Sequence, residues 1–308
     1  MSASSLLRLP CGQEGTHPSL PMPTFGGLQF WRDTRVNAGW RIQQNIRTGA
    51  ARLLDPANRQ QCRGDENSCL ARLDALKASR GIEPASDHTV LLLHGIARST
   101  GTFRKLEDAL RNQGYDATAI SYPSTRTDIE THADGLETLL SRLDRTKTVS
   151  FVTHSMGALV LRHTLSRKAD WMERITVGRI VMIAPPNQGA AVAGFLKNIS
   201  LYRWLYGPSG QQLVPGTVAD MPGLEGREVA VIAGGRGNGK GFNPFLPGDD
   251  DGTVTVAETE LDGVRDRIVI SSTHNGISNH PDTVNATTTF LRSGGLRVSS
   301  TATGEKNA

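Results

Sequence analysis

Apolar and polar positions follow two periods along this chain, and they take turns. Thr89-Val90-Leu91-Leu92-Leu93 is an unbroken apolar run with a β-branched start, the pattern of a strand buried on both faces. Phe103, Leu106, Ala109 and Leu110 then recur at helical spacing. Residues 116–121 predict a short strand that ends before Pro123. Ile129, Ala133, Leu136, Leu139, Leu140 and Leu143 predict an amphipathic helix. Val149-Ser150-Phe151-Val152 is strand-like again, and Met156, Leu159, Val160 and Leu165 continue at helical spacing. Val177–Ala184, Glu228–Ala233 and Arg267–Ser271 predict three further strands, and Asp282–Arg292 a closing helix. Strand and helix in alternation predict an α/β chain whose mostly parallel central sheet carries helices on both faces. Such sheets place their sites at the carboxyl ends of the strands. His94, Ser155, Asn187 and His274 each fall just past a predicted strand end.

The first 85 residues follow a different pattern. Residues 1–23 are rich in Ser, Pro and Gly and are expected to be disordered. Residues 24–85 hold Phe25, Phe30, Trp31 and Trp40, enough apolar area to predict an appendage packed on the core. Trp40, Ile42 and Ile46 are expected to share one helical face, and Leu70, Leu73 and Leu76 another. A wall for substrate is the second reading of these aromatics. Residues 86–296 form the main domain in this reading, and 297–308 a disordered tail.

Composition narrows the classes. The 308 residues suffice for one large α/β domain plus an appendage. The net charge of +4 comes from residues 1–85, with 11 Lys/Arg against 7 Asp/Glu, and the rest of the chain is balanced. No dense basic stripe points to nucleic acid, while transient contact with an anionic lipid surface stays open. No apolar run approaches the ~18 residues of a membrane span. The N-terminus has no continuous apolar core, since Leu6 and Leu7 stand alone. A cytoplasmic location is the default expectation, with a periplasmic or secreted one left open. Cys11, Cys62 and Cys69 lack the paired spacing of a zinc site, so no metal is expected. A Cys62–Cys69 disulfide and free thiols remain alternatives.

The chemistry concentrates at Thr153-His154-Ser155-Met156-Gly157, where a buried strand turns into a helix. Such a corner strains its central residue and lifts its side chain toward the helix N-terminus, where free N–H groups stabilise an anion. The stretch resembles the nucleophile elbow of the α/β-hydrolases, in the His-Ser-Met-Gly form of bacterial lipases and carboxylesterases. Thr153 departs from the family's Gly-x-Ser-x-Gly pattern. The resemblance implies an α/β-hydrolase fold over roughly residues 88–294, with Ser155 as nucleophile and an acyl-enzyme intermediate.

The family order places the carboxylate next and the histidine last. Three histidines follow Ser155. His163 lies along the elbow helix, so His274 is preferred and His280 second. Gly248-Asp249-Asp250-Asp251-Gly252-Thr253-Val254 resembles the Asp-Gly-x-Val segment of bacterial lipases, which selects Asp251, with Asp250 second. His94-Gly95-Ile96 resembles the family's oxyanion loop. The expected donors are the N–H groups of Ile96 and Met156. The His94 side chain is assigned to the substrate side of that loop, with a structural role preferred over a catalytic one.

Residues 190–226 sit where the family inserts a short cap. Phe195 and Trp204 are its expected substrate-binding rings, with helix packing on the core as the alternative. Gly234 to Gly241 nearly matches a phosphate-binding loop, but Gly241 stands where Ser or Thr must bind magnesium. Nucleotides and other cofactors are therefore not expected, and the run is read as a flexible loop carrying Asp251. The implied substrate is a small-molecule or lipid ester. Acyl transfer, thioester or amide cleavage by the same residues, and a non-catalytic binding module, are the alternatives.

Overall fold

The computed structural model describes residues 28–83, 86–190, 208–210, 212, 213, 218, 221 and 223–297. Strands β1 (Trp31–Asn37), β2 (Trp40–Asn45), β3 (Ala51–Leu54) and β4 (Gln60–Gly64) form an antiparallel sheet in sequential order. This corrects the expected helical face at Trp40, Ile42 and Ile46. Ala38 and Gly39, both left-handed at φ 48° and 78°, make the two-residue turn that matches strand twist. Beyond that turn, Trp40 and Ile42 stand two apart on one face of β2 and pack with Leu53, Cys62, Leu73 and Leu76.

Helix α1 (Glu66–Arg80) covers that face. The Asp65 carboxylate accepts the Ser68 N–H at its start, and Lys77 and Arg80 lie in its last turn, opposite the dipole's negative end. Leu73 and Leu76 are buried as the sequence pattern predicts. Cys62 is disulfide-bonded, while Cys69 is a buried free thiol. The bridge considered between these two is therefore not formed. Burial pushes the Cys69 thiol up to about 11.

The main sheet has six strands: β5 (His88–Leu93), β6 (Asp116–Ile120), β7 (Thr148–His154), β8 (Thr176–Ile183), β9 (Val229–Gly235) and β10 (Asp266–Ser271). Their order is β10-β9-β8-β7-β5-β6, every neighbouring pair parallel. Among the described residues, helices α2 (Arg104–Asn112), α3 (Ile129–Ser141), α4 (Gly157–Leu165) and α5 (Pro281–Ser293) accompany the sheet.

The strand residues alternate between two cores. Leu91, Leu93, Phe151, Ile180 and Met182 face Leu136 and Leu140 of α3 and Leu159 of α4. Val90, Leu92, Val152, Val181 and Ile183 face Leu106 and Leu110 of α2 and Phe290 of α5. Each fully buried Leu, Phe or Ile contributes about 1.5–3 kcal/mol. The winding reverses between β5 and β7, so the loops after those two strands flank the crevice where such sheets bind ligands.

The small sheet docks on the large domain through Val36, which joins the Leu91 and Leu136 core, and through buried polar groups. The Asp33 N–H donates to the Ser121 carbonyl at 2.9 Å, and the Ser121 N–H returns to Asp33 Oδ2 at 2.6 Å. Arg41 Nη1 reaches the same carboxylate at 3.2 Å and Gln43 Nε2 its other oxygen at 2.8 Å. All four residues are buried. A buried ion pair survives only with its remaining lone pairs satisfied, as here.

Candidate active site

Strand β7 ends at His154, and Ser155 takes φ 52°, a left-handed conformation uncommon for a residue with a Cβ. Its N–H donates to the Ile183 carbonyl of β8 at 2.9 Å, which fixes the corner against the sheet. Helix α4 begins two residues later and runs close under β5. A Cβ at Gly157 would lie 2.5 Å from the Leu93 carbonyl oxygen, so only glycine admits this approach. Thr153 occupies the elbow's first small position and is fully buried. The bulkier residue is thus accommodated within the sheet.

Three elements converge on that corner. His274, in the loop after β10, brings Nε2 to 3.0 Å from Ser155 Oγ. Its Nδ1 lies 2.6 Å from Asp251 Oδ2, in the loop after β9. A carboxylate only accepts, so Nδ1 carries the proton and Nε2 is left to accept from the serine hydroxyl. The Asp251 carboxylate is oriented by the N–H groups of Thr253 and Val254, at 2.9 and 2.8 Å on Oδ1. The His274 N–H donates to the Asp251 carbonyl at 2.8 Å, so side chains and backbone tie the two loops together. All three side chains are buried, and a hydrogen bond shielded from water is electrostatically stronger.

The residues weighed as alternatives lie elsewhere. His280 caps α5, its Nδ1 accepting the Asp282 N–H. His163 contacts Arg167. Asp250 Oδ1 accepts the N–H groups of Phe242, Asn243 and Gly252, and Asp249 those of Arg236 and Gly237. Part of the backbone of the glycine run is therefore tied to this chain's own carboxylates, and the segment is tethered rather than loose. Asn187 is buried and donates to the Thr259 carbonyl at 3.0 Å, outside the constellation.

The loop after β5 closes the other side. A Cβ at Gly95 would lie 3.0 Å from the Ser155 Cβ, so the loop runs in contact with the serine. Ile96 and Met156 follow the two contacting residues in the chain, and no described acceptor takes the N–H of either. His94 differs from the substrate contact expected of it. It is 1% exposed, stacked on Tyr122 at 4.3 Å, and its Nδ1–H donates to the Gly95 carbonyl at 2.8 Å. The ring therefore shapes the loop and offers substrate no open face. Burial lowers its pKa to about 4 and keeps it neutral. Phe195 and Trp204 lie outside the described residues.

One member of the His-Ser-Met-Gly stretch is given no role by the sequence. His154, next to the serine, is buried, and its Nε2–H donates to the His274 carbonyl at 3.0 Å. Burial, and then the neighbouring His274, push its pKa well below the ordinary value. A neutral imidazole thus holds the histidine loop from behind.

The family model described as Domain of unknown function (DUF7379) matches residues 61–220. No curated protein matches the sequence. Among solved structures, the mature form of Bacillus licheniformis lipase BlEst2 is 18% identical, with a TM-score of 0.54 over 69% of this chain and 94% of that one. Phospholipase PlaB from Legionella pneumophila is 17% identical, with a TM-score of 0.45 over 56% of this chain and 45% of that one. Aspergillus fumigatus lipase B is 15% identical, with a TM-score of 0.44 over 68% and 53%. The likeness to BlEst2 establishes the fold as that of the α/β-hydrolases.

Proposed function

The chain belongs to the DUF7379 family, whose description names no activity, and from its site we propose a serine hydrolase that cleaves carboxylic esters. The observation that carries this is the continuous Ser155–His274–Asp251 hydrogen-bond chain on a left-handed elbow residue. Ser155 Oγ attacks the ester carbonyl as His274 Nε2 takes its proton. The tetrahedral oxyanion is held by Ile96 N–H and Met156 N–H. His274 returns the proton to the leaving alcohol, and the acyl group stays on Ser155. Water, deprotonated by the same nitrogen, then releases the acid. Asp251 remains ionised and keeps the imidazole in the productive tautomer.

The likeness in fold to BlEst2, a lipase, supports an ester as substrate. The intact constellation favours an enzyme over a non-catalytic module on this scaffold. Acyltransfer, thioester and amide cleavage would use the same atoms. A second observation favours an ester at a lipid surface. Phe245 is 88% exposed on the loop that leads to Asp251, and Arg236, over the Phe242 ring, and Lys240 are exposed on the same loop. Asp249 and Asp250 turn inward onto backbone N–H groups, so the tip presents an aromatic ring and two cations. The disulfide at Cys62 supports an oxidising compartment over the cytoplasmic default. A thiol titration of the unfolded, unreduced chain that counts all three cysteines as free would overturn that placement.

p-Nitrophenyl esters of increasing acyl length test the activity. Hydrolysis by the wild type, and only background by Ser155→Ala at unchanged Tm, is expected. No hydrolysis across the panel would remove the ester reading.

A further inference from the structure

The antiparallel sheet of residues 31–64 lies outside the triad, yet its leading turn touches the oxyanion loop. Gln29, in the 3-10 turn Leu28–Phe30, is 5% exposed. Its Oε1 accepts three donors of the segment after β6: Ser124 Oγ–H at 3.3 Å, Thr125 N–H at 3.1 Å and Thr125 Oγ1–H at 3.1 Å. Its Nε2–H donates to the Arg98 carbonyl at 3.4 Å. One amide therefore spans the end of the oxyanion loop and the segment packed beneath it.

That segment grips the loop at two further points. Ser124 Oγ accepts the Ala97 N–H at 3.1 Å. The Tyr122 hydroxyl donates to the His94 carbonyl, and its ring stacks on the His94 imidazole. Ser121, at the start of the segment, is locked to Asp33 of β1 through both backbone groups of the serine.

The loop needs holding. Ala97 has φ 54°, a left-handed conformation that costs a non-glycine residue free energy and persists only under outside restraint. The dihedrals of this turn set the direction of the peptide plane carrying Ile96 N–H, one residue upstream. Ala97 N–H is satisfied by Ser124, while Ile96 N–H has no described acceptor. Exchanging these partners would aim the wrong donor at the oxyanion. Displacement of a donor by fractions of an ångström is enough, because the oxyanion must sit 2.7–3.1 Å from it.

We propose that Gln29 is a positioning residue for the oxyanion loop, which makes the N-terminal sheet a working part of the catalytic site. The proposal rests on the serine hydrolase reading for its catalytic consequence but not for the mechanical coupling. Gln29 acts through Ser124 and Arg98 and touches no reacting atom.

The test compares Gln29→Ala, Ser124→Ala and the double variant of the full chain on a p-nitrophenyl ester. Loss of a whole oxyanion donor costs about 10²–10³ in kcat, so a misaimed one should cost on the order of tenfold. Each single variant is expected to lose that in kcat with KM unchanged. The double variant should lose no more than either, because both sever one chain of contacts. Gln29→Glu keeps the acceptor of Ser124 and Thr125 but loses the donor to Arg98, and should recover only part of kcat. Full kcat with a lowered Tm, or losses that multiply in the double variant, would reduce Gln29 to a structural staple and overturn the proposal. Hydrogen exchange of residues 94–98 decides the coupling independently of turnover. Faster exchange of that segment in Gln29→Ala is expected, and unchanged exchange overturns the proposal. A wild type without esterase activity would remove the functional reading while leaving this second result decisive for the coupling.

Discussion

The two sheets of this protein are buried by opposite means. The parallel sheet is sealed by apolar alternation: Leu91 and Leu93 toward α3 and α4, Val90 and Leu92 toward α2 and α5. The antiparallel sheet has one apolar face, under α1, and turns to the large domain a face on which Asp33, Arg41 and Gln43 stand beside a single core residue, Val36. Apolar burial is non-directional and tolerates small shifts, whereas a satisfied ion pair fixes partners and register. The large sheet thus supplies a rigid floor, and the small sheet supplies a directed contact to the loops above it. The functional polar groups follow the same division. Ser155, Asp251 and His274 stand at carboxyl ends of apolar strands, while Gln29 and Asp33 reach those loops from the side.

The largest expected effect sharpens the difference between a reacting carboxylate and a structural one. Asp251→Asn should lower kcat by about four orders of magnitude with little change in Tm, since the histidine tautomer is lost. Asp250→Ala removes an acceptor of three backbone N–H groups and should act on Tm first. Equal losses of kcat would erase the distinction between these neighbours.

The docking face can be broken directly. Asp33→Ala leaves Arg41 buried without its carboxylate and should cost about 3–5 kcal/mol in urea unfolding. Asp33→Asn keeps an acceptor for Ser121 and should cost less. Wild-type stability in Asp33→Ala would show that the polar face contributes nothing to docking.

These effects were legible in the sequence to different degrees. The six parallel strands were readable because unbroken apolar runs have few other uses, and the site followed from their ends. The antiparallel strands were missed because β2 alternates Trp40-Arg41-Ile42-Gln43 with both faces buried. Its polar residues read as solvent-facing, and the spacing of Ile46 completed a false helical stripe. Asp251 was separable from Asp249 and Asp250 only by its Gly-x-Val context. What holds the other two, backbone N–H groups of the glycine run for Asp249 and of Phe242, Asn243 and Gly252 for Asp250, becomes visible only in three dimensions. The elbow pattern contains His154 without showing its role, and Gln29 carries no pattern, since their partners lie 120 and about 70–95 residues away.

A smaller effect concerns the seam between the two regions. Burial lowers His94 to about 4 and His132 to about 3, against 6.5 when exposed. Below 6.5 the unfolded chain binds more protons than the folded one, so stability falls as pH drops from 6.5 toward 4. Each pH unit in that window costs up to about 1.4 kcal/mol per histidine. His132→Gln should flatten the fall in urea midpoints between pH 7 and 5. An equally steep fall in the variant would contradict this origin.

The smallest effect is at the tip of the loop before Asp251. Phe245→Ser should weaken binding to anionic phosphatidylglycerol vesicles severalfold while leaving hydrolysis of a soluble short-chain ester unchanged. Unaltered vesicle binding would detach the loop from any lipid surface.

The central claim is that Ser155, activated by His274 and Asp251, is the nucleophile. Fluorophosphonate labelling followed by mass spectrometry of the peptides tests it at the level of one atom. A single adduct on Ser155 in the wild type, absent from Ser155→Ala and strongly slowed in His274→Ala, is the predicted result. An adduct on another residue, or labelling that survives Ser155→Ala, would contradict it.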